Sequence, residues 1–281
     1  MPENDVIVSP SGACIPGIIY GTAWKKRQTE AFVKLAIQQG FRGIDTACQP
    51  KHYHEPGVGA GVAASLSEDL RRADLYLQTK FTPLQGQDPN QIPYDPKARP
   101  PEQVAQSFQR SLLNLQTSYL DCLLLHSPLA DVRQMREVWH AMETIVDAGG
   151  ARQIGISNCY SLETLQRLDR SARVKPAVVQ NRFYAQTGYD REIRAYCRQR
   201  GIVYQSFWTL TANPHLLAHY TLTSLSTSRA RTPAQVLFRY LTQIDIVPLT
   251  GTTSAAHMRE DLEIFDFTLT ATELDSVSAL L

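Results

Sequence analysis

One pattern recurs along the sequence: a short run rich in β-branched and aromatic residues, then a longer amphipathic stretch. The strand candidates are residues 17–24, 41–45, 74–81, 119–127, 152–157, 176–181, 201–207 and 244–250. Strands that alternate with helices form a parallel sheet, because each helix carries the chain back to the start of the next strand. Eight such units within 281 residues favour an α/β fold of the (β/α)8 TIM-barrel type over an open sheet.

Two further segments complete the predicted architecture. Residues 5–17 read as a β-hairpin that turns at Ser11 and Gly12 and could close one end of the barrel. Residues 82–100 form a polar stretch after the third strand, and because it is longer than an ordinary connection we expect it to cover the substrate. No linker interrupts the alternation, so residues 1–281 are predicted to form a single domain.

Charge and cysteine content narrow the class of protein. Lys and Arg total 28 and Asp and Glu total 27, a net charge of +1. Nucleic-acid and membrane-surface proteins need a basic excess, so neither partner is expected. The chain has no apolar run long enough to span a membrane and no secretory signal pattern. Its five cysteines include no CxxC pair, which predicts free thiols, no metal site and a cytoplasmic location.

Three polar residues end consecutive strands of the predicted barrel: Asp45, Lys80 and His126. Alone, each has an ordinary explanation as a helix cap, a solvated lysine or a hydrogen-bonded core histidine. Because the carboxyl ends of barrel strands meet at one mouth, the three together suit proton transfer. Tyr53 follows Asp45 and would supply the acid, since a Lys80 ammonium held by Asp45 is expected to lower the pKa of the phenol.

The loop after the eighth strand is a second candidate site. Residues 248–261 combine Gly, Thr and Ser with a following helix, and free N–H groups and hydroxyls at such a place suit a phosphate. A plain polar connection is the alternative. The glycine-rich segment 57–62 is not predicted to bind a dinucleotide, because Val62 stands where the third glycine is needed. It is predicted to begin a helix that packs closely.

Together these segments resemble the aldo-keto reductase superfamily, in particular its short fungal and microbial members with a compact C-terminal loop. The matching motifs are GFRGIDTA (40–47), EPGVG (55–59), LQTKF (77–81), YLDCLLLHSPL (119–129), ARQIGISN (151–158), VVQN (178–181), GIVYQSF (201–207) and VPLTGTTS (247–254). The resemblance implies an oxidoreductase that reduces an aldehyde or ketone by hydride transfer. It implies NADPH as cofactor, with NADH possible, bound without a separate nucleotide-binding domain.

The resemblance also implies the site residues. The catalytic tetrad would be Asp45, Tyr53, Lys80 and His126, with Tyr53 as proton donor and His126 orienting the carbonyl. The cofactor set would be Gly21, Thr22, Asp45, Ser157, Asn158, Gln180, Phe207, Trp208, Leu210, Thr250, Gly251, Thr252, Thr253, His257 and Asp261. Within this set, Ser157, Asn158 and Gln180 form an amide-binding group that would hold the carboxamide of the nicotinamide. Phe207 would stack on the nicotinamide ring. The substrate would contact Trp24, Tyr53, His126 and Trp208.

Two departures from the family pattern leave alternatives open. Counting back from Glu55 at the usual spacing reaches His52, so His52 is a second candidate proton donor beside Tyr53. A phenol has the required chemistry, which favours Tyr53. Leu249 stands at the place of a lysine that commonly binds the 2′-phosphate of NADPH. His257 and Arg259 lie nearby and could replace it.

Two other functions fit the same residues. The barrel could be a non-catalytic or regulatory subunit that binds the cofactor, or an aldolase in which Lys80 forms a Schiff base. The reductase is the main prediction because all four tetrad residue types are present. Its partner would be a small carbonyl compound, and the protein itself a monomer or weak homo-oligomer.

Overall fold

A computed structural model describes residues 6–281. The chain enters through an antiparallel hairpin of β1 (Val6–Val8) and β2 (Cys14–Pro16). Gly12 lies in its turn with φ +79°, a left-handed conformation that glycine adopts without strain. Ile15 packs on residues of the barrel interior, including Ile19, Val178 and Val247. The predicted hairpin is confirmed, and it closes the amino-terminal end of the barrel.

Eight parallel strands then form a closed barrel in which the last strand pairs with the first. They are β3 (Ile19–Gly21), β4 (Gly43–Asp45), β5 (Tyr76–Phe81), β6 (Cys122–Leu125), β7 (Ile154–Ser157), β8 (Val178–Arg182), β9 (Val203–Phe207) and β10 (Ile246–Thr250). Each falls within a predicted strand candidate or one residue beyond it. The TIM-barrel prediction is therefore confirmed.

Helices surround the barrel and return the chain to its amino-terminal end. They are α1 (Thr29–Gln39), α2 (Glu55–Ala63), α3 (Pro100–Leu115), α4 (Val132–Asp147), α5 (Leu162–Ser171), α6 (Arg191–Arg200), α7 (Pro214–Leu217), α8 (Tyr220–Arg229), α9 (Pro233–Gln243), α10 (Ala255–Leu262) and α11 (Ala271–Ser278). Side chains cap several of their first turns, among them Asp131, Ser161 and Ser254. None of the helices between residues 6 and 281 is long and apolar enough to cross a membrane.

The glycine-rich segment forms α2 and packs against both neighbouring helices. A Cβ atom on Gly59 would lie 2.2 Å from the carbonyl oxygen of Asn114 on α3, and one on Gly61 would lie 2.7 Å from that of Glu30 on α1. These glycines therefore serve close packing, as predicted. Because α2 is held between α1 and α3, the loop before it, which carries Tyr53, has a fixed end.

Candidate active site

A cavity of about 1090 Å³ opens at the carboxyl ends of the barrel strands. It is lined by most of the predicted site residues: Gly21, Trp24, Asp45, Tyr53, His126, Ser157, Asn158, Gln180, Phe207, Trp208, Leu210, Thr250, Gly251, Thr252, His257 and Asp261. Lys80 is buried directly beneath this surface. The structure thus gathers at one mouth residues that are far apart in sequence.

Lys80 and Asp45 form a buried ion pair at the floor of the cavity. The Nζ atom donates to both carboxylate oxygens at 2.6 and 2.7 Å and to the carbonyl oxygen of Thr46 at 2.8 Å. The side-chain amides of Gln78 and Gln180 also donate to Asp45 Oδ1. Burial lowers the pKa of Lys80, and the neighbouring Asp45 carboxylate opposes that shift. Every donor position of the ammonium is occupied, so the pair is held rigidly.

Tyr53 lies against this pair and against His126. Its ring centroid is 5.3 Å from Lys80 Nζ and 6.0 Å from the centroid of the His126 ring, in an edge-to-face arrangement. Burial, and then the Asp45 carboxylate, raise the pKa of Tyr53. The net shift is therefore opposite to the expected lowering, because loss of solvent dominates. Tyr53 therefore retains its proton across the neutral range.

His52 has a different environment from Tyr53. Its ring stacks on Trp24, with centroids 4.1 Å apart and planes 38° apart. Burial and the adjacent Lys51 lower the pKa of His52. The two adjacent residues therefore have different surroundings. Tyr53 contacts Lys80 and His126, and His52 forms part of the cavity wall with Trp24.

His126 is neutral and has one ring nitrogen engaged. Nδ1 lies 2.6 Å from the hydroxyl oxygen of Thr82, and within residues 6–281 the structure gives Nε2 no hydrogen-bond partner. Burial, then the charge of Lys80, lower the pKa of His126 to about 3. Sequence reasoning missed Thr82. Its position two residues beyond Lys80 was the available signal, because alternate residues of a strand share a face.

The depressed pKa of His126 predicts a specific loss of stability in acid. An unfolded histidine titrates near 6.5, so between pH 6.5 and 3 the unfolded chain binds the extra proton and the folded chain does not. The contribution is complete above pH 6.5 and is lost as the pH falls, by up to about 1.4 kcal/mol per pH unit. Urea unfolding at pH 7 and 4.5 should show a larger loss for the parent than for His126→Gln.

Comparison of these two proteins isolates His126 from other groups. Asp261 is an example: burial raises its pKa to about 6, so its contribution changes with the opposite sign, but it is present in both proteins and cancels. Equal losses in parent and variant would contradict the lowered pKa of His126.

The predicted amide-binding group is tightly constrained. The Ser157 hydroxyl donates to the carbonyl oxygen of Gln180 at 2.7 Å, and Asn158 Nδ2 donates to the carbonyl oxygen of His126 at 2.8 Å. The two N–H groups of Gln180 go to Asp45 and to Gln205 Oε1. The Gln180 amide therefore has only its oxygen left to offer to a ligand.

Sequence reasoning missed Lys25, which follows β3 and contacts the loop after β10. Lys25 Nζ donates to the carbonyl oxygen of Gly251 at 2.6 Å and lies 5.1 Å from the ring centroid of Tyr20. Burial lowers its pKa to about 8, and within residues 6–281 no carboxylate lies at ion-pair distance from it. The Tyr20 hydroxyl donates to the carbonyl oxygen of Thr252. This corner thus combines a cation with the hydroxyls of the predicted phosphate loop.

Three predicted or compensating residues lie away from the cavity. Thr22 is fully buried, and its hydroxyl donates to the carbonyl oxygen of Asp45. Thr253 is exposed and is not part of the cavity wall. Arg259 donates to Gln39 on α1 instead of facing the cavity. Neither Thr22 nor Thr253 lines the cavity, and their assignment to the cofactor stays a prediction.

Leu249 is buried in the last strand and reaches the cavity. It lies in β10, is 8% exposed and packs with Ile19 and Val247 in the barrel interior. Leu249 also lines the cavity, next to Thr250 and Gly251, so its place at the position of a phosphate-binding lysine stays a prediction. Of the two compensating residues, only His257 lines the cavity.

The stretch 82–100 is anchored to the structure around it. Gln49 donates to the carbonyl oxygen of Gly86, and Tyr94 donates to that of Thr82. Only Thr82 and Gly86 of this stretch line the cavity, so the segment forms part of one wall and does not cover the mouth. Cys48 and Cys159 are buried and contribute to packing.

Comparisons with known proteins identify the relatives of this chain. Residues 17–281 match the model of the Aldo/keto reductase family. Glyoxal reductase of Bacillus subtilis is 31% identical, with 88% of this chain and 82% of the relative covered. Aldo-keto reductase family 1 member A1 of Gallus gallus is 27% identical, with 98% and 88% covered.

Solved structures give the same result. An aldo/keto reductase from Brucella melitensis superposes with a TM-score of 0.83 at 28% identity, covering 98% of this chain and 99% of the other. The aldose reductase from Schistosoma japonicum superposes with a TM-score of 0.80 at 25% identity, covering 98% and 91%. The relationship therefore includes the hairpin and the barrel together.

Proposed function

The chain belongs to the aldo/keto reductase family, and from this premise we propose that it is an NADPH-dependent reductase that converts an aldehyde or ketone into an alcohol. The observation that carries the proposal is the contact of Tyr53 with both Lys80 and His126 at the cavity floor. A half-buried phenol that keeps its proton, next to a fixed cation and a neutral imidazole, suits protonation of a carbonyl oxygen.

The residues present fit a nicotinamide dinucleotide. The Gly251–Thr252 loop and Lys25 offer hydroxyl, backbone and ammonium groups for its phosphates, and Ser157, Asn158 and Gln180 would hold the carboxamide. Phe207 lines the same cavity and would stack on the ring. When bound, the reduced nicotinamide supplies the hydride.

The remaining steps are performed by the protein. His126, neutral and free at Nε2, would donate to the carbonyl oxygen and orient it toward Tyr53. Tyr53 would then transfer its hydroxyl proton to the oxygen as negative charge develops there. The Lys80–Asp45 pair would stabilise the phenolate that remains, because the ammonium is already in position and needs no reorganisation.

The buried position of Lys80 argues against an aldolase. Its Nζ atom has three oxygen acceptors within 2.8 Å and lies below the cavity surface, so a substrate carbonyl has no route to it. For a cofactor-binding subunit without catalysis, no contact in the site gives specific support.

The test is oxidation of NADPH, followed by its absorbance, against a panel of aldehydes, ketones and imines, with NADH in parallel. We expect reduction of at least one carbonyl class with NADPH and a lower efficiency with NADH. Cofactor binding without turnover on any substrate would favour the regulatory alternative. Trapping of substrate on Lys80 by borohydride would favour the aldolase.

Thr82 should act as a positioning residue for His126. Thr82→Val keeps the shape of the side chain and removes the hydroxyl that contacts Nδ1. We expect kcat to fall about tenfold, the equivalent of one hydrogen bond, with little change in the Kd for NADPH. Thr82→Ser should restore kcat, because it returns the hydroxyl. A matching loss in both variants would assign Thr82 a packing role.

A further inference from the structure

Arg182 is a cation of the catalytic cavity for which the proposed reaction has no use. It is the last residue of β8 and lines the same cavity as Tyr53 and His126. Sequence reasoning noted the polar residues Gln180 and Asn181 at this strand end but not the arginine. Its position at the carboxyl end of a barrel strand is where ligand-binding residues gather in this fold.

Two aromatic rings hold the guanidinium group. Its central carbon lies 4.3 Å from the ring centroid of Trp208 and 5.2 Å from that of Tyr184. Tyr160 supports the arrangement, since its hydroxyl accepts from the backbone N–H of Arg182 and its ring packs on Tyr184. Stacking engages the faces of a guanidinium and leaves the N–H groups along its edge available.

No acidic side chain in the described part of the chain forms an ion pair with Arg182. Across residues 6–281, no carboxylate oxygen comes within 4.0 Å of Arg182, whereas Arg72, Arg200 and Arg229 each contact one. The Nε atom of Arg182 is buried and has no hydrogen-bond partner there. Burial of a donor without a partner is unfavourable, so an oxyanion would supply a hydrogen-bond acceptor that Arg182 lacks in the protein.

Among residues 6–281, three acidic residues line the cavity, Asp45, Glu260 and Asp261, and none of them lies at ion-pair distance from Arg182. Asp45 is bound to Lys80, and Asp261 accepts from the Thr250 hydroxyl. An incoming oxyanion would therefore meet Arg182 without competition from these two groups. A carboxylate or phosphate can accept two parallel N–H bonds from one guanidinium edge, which gives both strength and orientation.

We propose that Arg182 binds an oxyanion inside the catalytic cavity. The inference rests on the proposed function, because it uses the same cavity. The oxyanion is either a carboxylate or phosphate carried by the carbonyl substrate, or the diphosphate of the cofactor. Lys25, which follows β3, already donates to Gly251 in the loop after β10 and so supplies a cation there, which favours the substrate as the source.

The test uses matched substrates and matched variants. 4-Carboxybenzaldehyde and methyl 4-formylbenzoate present the same aldehyde with and without a negative charge. The variants are Arg182→Leu and Arg182→Lys, with Arg191→Leu as the control, because Arg191 is exposed on α6 and is not part of the cavity wall. The readouts are kcat/KM for each aldehyde, the Kd for NADPH from fluorescence, and Tm with and without 4-carboxybenzaldehyde.

For a substrate oxyanion, Arg182→Leu should lower kcat/KM at least tenfold more for the acid than for the ester. Arg182→Lys should lie between the parent and Arg182→Leu, and the Kd for NADPH should be unchanged. For the cofactor diphosphate, Arg182→Leu should weaken NADPH binding at least tenfold. It should lower kcat/KM by the same factor for both aldehydes. If the Arg182 variants behave as Arg191→Leu does in all three readouts, the proposal is wrong.

The two hypotheses fail separately. If the parent reduces neither aldehyde nor any other carbonyl, the proposed function fails. The oxyanion site would still be supported by either of two results: 4-carboxybenzaldehyde raises the Tm of the parent but not that of Arg182→Leu, or Arg182→Leu binds NADPH more weakly than the parent. If the parent is an active reductase and Arg182→Leu changes neither charge preference nor ligand binding, the function stands and the oxyanion site falls. Arg182→Lys serves if Arg182→Leu does not fold.

Discussion

A Tyr53→Phe variant should lose turnover by two to four orders of magnitude, roughly the range that general acid catalysis contributes. The substitution removes only the hydroxyl. The ring that contacts His126 and lies over Lys80 stays, so the cavity should keep its shape. Binding of NADPH, measured by fluorescence, should change little. A fall in kcat at an unchanged cofactor Kd would identify a group needed in the transition state.

His52→Phe is the matched control for this experiment. An aromatic ring at position 52 keeps the stacking on Trp24 while removing every titratable atom. We expect this variant to retain most of the turnover, with effects confined to substrates that touch the wall. An active Tyr53→Phe enzyme together with an inactive His52→Phe enzyme would transfer the proton-donor role to His52.

The barrel was predictable because its signal is repeated and local. Each strand candidate, such as 41–45 or 201–207, is a short β-rich run between amphipathic stretches, and the parallel topology follows from that alternation. The same reasoning located Asp45, Lys80 and His126, because the carboxyl ends of all the strands in this fold lie at the same mouth of the barrel. Only the ordering of the strands was needed to bring these residues together.

The electrostatic state of the site could not be predicted in this way. The pKa of Tyr53 depends on its burial and on the nearby Asp45 carboxylate, and neither effect can be read from the spacing of residues in the sequence. Thr22 and Thr253 illustrate a related limit: beyond a strand's end the two-residue alternation stops, so the direction of a side chain is set by the loop.

The residues missed were those that act through a partner. Lys25 follows the first barrel strand and Arg182 ends the sixth, yet their roles appear only when the loop at Gly251 and the ring of Trp208 are brought beside them. These contacts join residues far apart in sequence. A single sequence contains the residue types but not the pairings.

The second large effect concerns the ion pair beneath the cavity. Lys80→Met should abolish detectable turnover, because it removes the cation that stabilises a developing phenolate, and it should also destabilise the fold. The variant leaves the Asp45 carboxylate buried with only the amides of Gln78 and Gln180 as side-chain donors. Removal of one partner from a buried pair costs about 3–5 kcal/mol. Urea unfolding at neutral pH measures that loss.

A double variant separates the two consequences. Lys80→Met combined with Asp45→Asn removes both charges, so no uncompensated carboxylate remains and much of the stability should return. Activity should not return with it, because the cation is still missing. This divergence between stability and turnover distinguishes a pair needed for the reaction from one that only supports the barrel. If Lys80→Met were as stable as the parent, or if the double variant regained turnover, the ion pair would not have the role that its geometry indicates.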